Sequence, residues 1–150
     1  MSGTAGSITA SQPHGEALGA DVDLQAVATD TWVATTAQVV LPEAGTYALF
    51  ADCFSHLAAT TPWAVAVNAR LFNVTDGTPV GVERRIQFAN INDGGGTVMS
   101  LQNAGSFSAF LTVTGPATVR VEGKRTYVGF NDSTQALLAA PRLGFLKVAG

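Results

Sequence analysis

The sequence has few charges, one cysteine and no long apolar run. Charged residues make up 13% of its 150 residues, about half of the roughly 25% that is usual for soluble domains. The single cysteine, Cys53, excludes an internal disulfide. No apolar stretch reaches the ~18 residues that a membrane helix needs, so we expect no membrane partner. Small residues such as Ala, Thr, Ser and Gly stand where charges are usual, which predicts that much of the surface is buried against other chains.

Basic residues are absent from the first part of the chain. Residues 1–69 carry six acids and no Lys or Arg, whereas residues 70–150 carry all eight bases against five acids. An acidic first half argues against a basic arm that binds nucleic acid, so we expect no nucleic-acid partner. The same half lacks the positive region and apolar segment of a secretory signal. We therefore expect the chain to be made and used without export.

The first 20 residues are rich in Gly, Ala, Ser and Thr, with Ile8 and Leu18 as the sizeable apolar side chains. Such a stretch buries too little apolar area to offset the entropy lost on ordering. The composition therefore predicts two parts, an extended arm over residues 1–21 and a folded domain over residues 22–150. We expect Ile8 and Leu18 to anchor this arm to a partner.

From about residue 22 the pattern is that of β-structure. Apolar and polar residues alternate, and turn residues recur every 8 to 12 positions. Asp76-Gly77 is the strongest local hairpin signal, and residues 134–140 fit either one helical turn or a loop. Eight to nine strands in one short domain indicate an all-β fold, a jelly-roll sandwich or a barrel. The predicted strands are 22–28, 32–41, 46–56, 63–74, 79–90, 96–102, 106–114, 117–127 and 141–149.

Sequence motifs of catalysis are absent, so we expect neither an enzyme nor a bound cofactor. Asp52, Cys53 and His56 lie close together, as metal ligands do. On a strand, however, Asp52 and His56 share one face while Cys53 points to the other. Two ligands are too few for zinc, so we expect no metal site. The apolar neighbours of Cys53 predict a small buried thiol.

Two groups of basic residues and two tryptophans are the other conspicuous side chains. Arg84 and Arg85 are adjacent, which predicts one guanidinium on each face of a strand. The basic strand around residues 120–125 is either solvated or in contact with an acidic neighbour. Trp32 and Trp63 each begin a candidate strand and are expected to pack into the core, with contact to a partner or a glycan as the alternative.

Three passages together resemble a known superfamily. They are the turn and strand at residues 40–47 (VLPEAGTY), the hairpin at 69–78 (ARLFNVTDGT) and the closing strand at 143–148 (LGFLKV). Their order is similar to that of the trimeric jelly rolls of the tumour-necrosis-factor and complement-globular-head superfamily, including those in tailed-phage virion proteins. The resemblance covers residues 32–149 and implies a homotrimer with apolar inner strands at its three-fold axis.

The resemblance and the low charge lead to one functional expectation. We expect a homotrimeric capsid decoration protein on the surface of a phage virion, made in the host cytoplasm and bound to the major capsid protein or another virion protein. The alternative is the receptor- or glycan-binding head of a tail fibre or spike. The expected trimer-interface residues are Phe107, Phe110, Leu111 and Phe145.

Overall fold

A computed structural model of the chain describes residues 12–150. Within these residues the chain forms nine strands, whose bounds follow the alternation of apolar and polar side chains. The strands are β1 (His14–Leu18), β2 (Val22–Asp23), β3 (Val33–Leu41), β4 (Gly45–Thr60), β5 (Trp63–Asn73), β6 (Thr78–Ile91), β7 (Val98–Val113), β8 (Ala117–Phe130) and β9 (Gln135–Ala149). No helix in this part of the chain is long and apolar enough to cross a membrane.

The strands form two antiparallel sheets that pack face to face. Sheet 1 has the order β1-β9-β4-β7, with β2 also paired to β9, and sheet 2 has the order β3-β8-β5-β6. Most strands that follow each other in the chain, such as β3 and β4, therefore lie in different sheets. Most strands that are paired within a sheet, such as β1 and β9, are distant in sequence. This connectivity is that of a double-sheet jelly roll. The predicted all-β jelly-roll sandwich is thus confirmed.

The core lies between the sheets and is formed by one side of each strand. In β4 the odd-numbered residues are buried, among them Tyr47, Leu49 and Leu57, while the even-numbered ones point outward. Sheet 2 contributes its own inward row, which includes the fully buried Val65 and Val67. Alternation of this kind fixes the pairing register, because a shift by one residue would expose the whole inward row.

Several strand boundaries differ from those predicted. The strands predicted at 96–102 and 106–114 are parts of the single strand β7, which pairs with β4 from Val98 to Val113 without a break. Gly105 fits closely under Ile86, and Asn103 donates a hydrogen bond to the Ile86 carbonyl. Residues 135–140 are neither a helical turn nor a loop, since they pair with β4 and begin β9. The strand predicted over 22–28 is reduced to Val22–Asp23.

The hairpin predicted at Asp76-Gly77 is confirmed, with a different turn. The four residues 74–77 join β5 and β6. Of Asp76 and Gly77, only Gly77 has a positive φ, at 71°. The Gly77 amide donates to the Asn73 carbonyl, and the Asn73 side chain binds Asp76. A four-residue loop of this type needs only one left-handed residue.

The second half of the predicted arm is a strand. His14–Leu18 pairs with β9 at the edge of sheet 1, from Leu18↔Arg142 to His14↔Leu146. The amide of Ala20 then donates to Thr36, which ties this segment to β3 in the other sheet. The expected anchor Ile8 lies outside the described residues.

Candidate functional site: the outer face of sheet 1

The outward surface of sheet 1, called face 1 here, has an unusual share of apolar side chains. The even-numbered residues of β4 lie on it, opposite even-numbered residues of β7 and, from Arg142 onward, of β9. Three rows of outward residues therefore cross the four strands in register. They are Leu18–Arg142–Asp52–Ser106, Glu16–Gly144–Phe50–Ser108 and His14–Leu146–Ala48–Phe110.

Exposed aromatic residues dominate face 1. Phe110 is 73% exposed, and Phe50 and Phe54 are each about half exposed. A Cβ added to Gly144 would lie 3.3 Å from the ring of Phe50, so the glycine is what lets this ring rest on β9. Exposed large apolar side chains grouped in this way are typical of a contact surface.

A pocket of about 500 Å³ opens on face 1. It lies at the row Leu18–Arg142–Asp52–Ser106, next to the row that contains Phe50. Asp52 and Arg142, which are cross-strand neighbours, flank it. Among the ion pairs of the described residues, Arg142 reaches Glu16 at 3.9 Å rather than Asp52, and Asp52 instead accepts a 2.7 Å hydrogen bond from Ser106. The pocket residues are Leu18, Asp52, Cys53, Phe54, Ala104, Gly105, Ser106, Ala140 and Arg142.

A β-bulge in β9 shapes one side of this pocket. Between Ala139 and Arg142 the strand takes three steps while β4 takes two, from Phe54 to Asp52. The extra residue leaves Ala140 with a φ of 46°, in the left-handed region that is costly for a residue with a Cβ. The Ala140 amide donates to Asp21 and the Pro141 carbonyl accepts from Gly19. The segment between β1 and β2 therefore holds the bulge in place.

The three residues weighed as metal ligands lie as the strand geometry predicts. Asp52 and His56 are on face 1, whereas Cys53 is 1% exposed and points into the core. Burial first, and then the charge of Asp52, raise the pKa of the Cys53 thiol to about 12. The prediction of a buried thiol is confirmed. Within residues 12–150 there is no group of three or more His, Cys, Asp or Glu side chains that could hold a metal ion.

The residues expected at a trimer interface are divided between the two sides of sheet 1. Phe110 is exposed on face 1, whereas Phe145 is 8% exposed and lies in the core. Phe107 and Leu111 are partly buried and pack against that core from β7. Phe110 is three residues from Phe107 and one from Leu111, so the alternation of a strand puts it on the opposite side of β7.

Sequence reasoning missed the other apolar side chains of face 1. Phe50, Phe54 and Leu146 lie there, and Leu18, one of the expected arm anchors, stands 67% exposed at the pocket. The spacing of four between Phe50 and Phe54 on β4 was the available signal. Spacing alone does not show which side of a strand faces the other sheet.

The outward surface of sheet 2, called face 2 here, is built around one carboxylate. The Glu122 side chain is only 5% exposed and receives Arg70 and Arg120, each at 2.8 Å, on its two oxygens. Trp32 is stacked against the Arg70 guanidinium at 4.2 Å and against Lys124 at 4.7 Å. Trp32 is therefore a partly exposed residue of face 2, which corrects the prediction that it packs in the core, whereas Trp63 is fully buried as predicted.

Arg125 differs from expectation because it is buried, with Asp132 at 2.7 Å and the carbonyls of Leu24 and Val27 as its acceptors, so it ties the β2–β3 segment to β8. The basic strand is thus paired within its own chain. Arg84 and Arg85 are both exposed and lie opposite the consecutive residues Ala69 and Asn68 of β5, which agrees with one guanidinium on each face. Arg85 lies 4.8 Å over the ring of Phe88.

Comparison with known proteins supports the fold. No protein-family model and no curated protein sequence matches the chain. The VP2 subviral particle of infectious bursal disease virus aligns with a TM-score of 0.51 and 13% identity, over 90% of this chain and 33% of that one. Structures of the Gx and Gt strains of the virus align over 90% of this chain and 32% of theirs, with 12% and 13% identity and TM-scores of 0.49 and 0.46.

These comparisons define the class of the fold. The chain spans about a third of the length of the viral chains that it matches. At 13% identity, the likeness to the VP2 particle shows a shared jelly-roll architecture and nothing finer. The resemblance to the tumour-necrosis-factor superfamily and to phage proteins stays a prediction.

Proposed function

We propose that this protein is a non-enzymatic structural component of a virion, a homotrimer that decorates a phage capsid from outside. Two findings support the proposal. The jelly-roll architecture is shared with the VP2 protein of a subviral particle, and double-sheet jelly rolls are common in viral shells. Face 1 also presents an apolar surface that suits contact between subunits.

Face 1 is the observation that carries this proposal. A monomer that left Phe110, Phe50 and Leu146 in water would forgo the burial of large apolar side chains. Each such side chain contributes about 1.5–3 kcal/mol when it is fully buried. The few charges of face 1 have both signs, since Glu16 and Asp52 are acidic and Arg142 is basic. Copies of the chain can therefore approach through this face without strong repulsion.

In the proposed mechanism, three copies join through face 1 around a three-fold axis. The trimer then fits a local three-fold position of an icosahedral shell, and the three N-terminal segments contact separate capsid subunits. Three weak contacts linked in one particle give tight attachment through avidity. The protein would then lie on the virion surface after synthesis in the host cytoplasm.

We also propose that neither nucleic acid nor a membrane is a partner. The bases of face 2 support this, because Arg70 and Arg120 share the carboxylate of Glu122 and Lys124 lies 3.5 Å from Glu83. A surface that binds phosphate needs cations free to replace counterions.

The oligomeric state tests the first half of the proposal. Light scattering at micromolar concentration should give three chain masses. Phe110→Asp should lower the mass to that of one chain without unfolding it, because the side chain is exposed within the subunit. Phe88→Asp is the matched control, since Phe88 is an exposed phenylalanine of face 2 and should leave the trimer intact. A wild-type protein that stays monomeric contradicts the proposal.

Addition of the protein to undecorated capsids tests the second half. We expect the trimer to bind them, and a variant lacking residues 2–11 to stay folded and bind poorly. Removal of residues 2–20 is a poorer test, because it also deletes β1 and its pairing with β9. Binding to host cells in place of capsids would favour the alternative, a receptor- or glycan-binding fibre head.

A further inference from the structure

We propose that the face 1 pocket lined by Asp52, Arg142 and Phe54 binds one neutral sugar ring of a glycan. This assignment goes beyond the structural role proposed above and does not depend on it. A volume of about 500 Å³ lies within the ~300–1,000 Å³ range of small-ligand sites, where apolar walls combine with a few placed polar groups.

The polar groups of the pocket match a ligand with several hydroxyl groups. Asp52 can accept hydrogen bonds from hydroxyls, Arg142 can donate to them, and Ser106 can do either. Asp52 and Arg142 have opposite charges and flank the pocket without pairing within 4 Å in the described chain. Their charges cancel at the site, which favours a neutral ligand over an acidic or a basic one.

The apolar walls match the other side of such a ligand. Phe54 is 47% exposed, and Leu18 and Ala104 line the pocket with it. A pyranose ring has a face of C–H groups, which an aromatic ring covers well, and an edge of hydroxyls. Phe54 on one side and the Asp52–Arg142 pair on the other present both surfaces that such a ring needs.

The bulge in β9 is a second, independent reason to expect a binding site. Ala140 lines the pocket with a φ of 46°, although a glycine there would avoid the strain. Strained backbone of this kind clusters at ligand sites. Bulges also redirect a side chain, and here Arg142 is the residue that follows the bulge and lies opposite Asp52 on β4.

The pocket is separate from the most exposed aromatic residue of face 1. Ser106 and Phe110 lie four residues apart on β7, about 13 Å at ~3.3 Å per residue. A trimer contact centred on Phe110 therefore leaves space for a ligand at Ser106.

Titration of the intact protein with single sugars tests the assignment. The probes are the methyl glycosides of glucose, galactose and mannose, with sialic acid and glucosamine as acidic and basic comparisons. The readout is saturation-transfer NMR together with chemical-shift titration. We expect at least one neutral glycoside to bind with a Kd of about 1 mM, since a ligand with so few atoms cannot bind tightly. Sialic acid and glucosamine should bind about tenfold more weakly.

Two pocket variants and one control complete the test. Phe54→Ala and Asp52→Asn should each raise the Kd by about tenfold, whereas Phe88→Ala, at a similarly exposed phenylalanine of face 2, should not change it. Unfolding curves check that each variant is folded. The assignment is overturned if no neutral glycoside binds, if the charged sugars bind equally well, or if both pocket variants bind as the wild type does. The sugar titrations do not depend on the oligomeric state measured by light scattering. The trimer and the sugar site can therefore be confirmed or overturned separately.

Discussion

Faces 1 and 2 of the sandwich differ in how their outward side chains are satisfied. On face 2, Glu122 joins Arg70 and Arg120 in one ion-pair network beside Trp32, so each group already has its partner within the chain. On face 1, Phe110 is the most exposed phenylalanine, at 73%. Face 2 is therefore built around paired charges, although Val40 and Phe88 stay exposed on it, whereas face 1 is built around exposed phenylalanines.

The difference between the two faces also shows where in the fold charged residues are few. Six of the eight bases, at positions 70, 84, 85, 120, 124 and 125, lie on sheet 2, where Glu83 and Glu122 pair with several of them. Sheet 1 keeps Arg142 and the largely buried Lys147, which binds Glu43 at its edge. The charges that a solvated surface needs are thus concentrated on one sheet, and the deficit falls on the other.

The largest expected effect comes from breaking the network of face 2. Glu122→Ala leaves Arg70 and Arg120 without their shared carboxylate, and removal of one partner from a buried ion pair costs about 3 kcal/mol. Urea unfolding measures this loss. Glu83→Ala is the control, because that side chain is 42% exposed and its pair with Lys124 contributes less than about 1 kcal/mol. Equal losses for the two variants would show that the network does not stabilise face 2.

A pair of glycines compares face 1 with the core beneath the sheets. A Cβ at Gly123 would lie 2.9 Å from Leu138 in the core, so Gly123→Ala should lower the free energy of unfolding by about 1–3 kcal/mol. Gly144→Ala should cost less than about 1 kcal/mol, since the ring of Phe50 can move outward into solvent. A larger loss at Gly144 than at Gly123 would mean that face 1 is packed as tightly as the core.

Thiol labelling distinguishes the faces in the assembled protein. Ser108→Cys places a thiol on face 1 and Gln38→Cys places one on face 2, both at exposed positions. The native Cys53 contributes little at pH 8, because burial raises its pKa to about 12. In the trimer, the face 1 thiol should react about tenfold more slowly than the face 2 thiol, and dilution to monomers should remove the difference. Equal rates in the trimer would place the interface elsewhere.

Salt should have the smallest effect. Contact through apolar side chains is screened little by ions, so the dissociation constant of the trimer should stay nearly unchanged between low and moderate salt. Analytical ultracentrifugation measures it. A steep weakening with salt would indicate that the bases at Arg84 and Arg85, rather than face 1, hold the copies together.

Much of the fold follows from the alternation of side chains along each strand. The alternation placed Cys53 inward and Asp52 and His56 outward, and it assigned β3 and β5 almost to their ends. It failed where a local breaker is satisfied by a distant residue. Gly105 interrupts the apolar–polar alternation of β7 in the sequence. In the folded chain Ile86 of β6 fills the space above this glycine, and the strand continues.

The candidate site depended even more on distant partners. Phe50 and Gly144 are 94 positions apart, and only the pairing of β4 with β9 stacks one on the other. The pocket likewise needs the bulge at Ala140 and the register that sets Arg142 beside Asp52. A period of two shows that a strand has two sides, but the side that stays uncovered is decided by the packing of the two sheets.

The position of β9 has a consequence for the order of folding. Within the described residues, β1 pairs in its sheet only with β9, which is the last strand, and β9 itself lies between β1 and β4. During synthesis, His14–Leu18 must therefore wait in an unpaired state until residues 142–146 have been made. Pairing between such distant segments makes folding slow, on a scale of about milliseconds to seconds. The row of face 1 that β1 contributes is therefore completed late in folding, after residues 142–146 of β9 have been made.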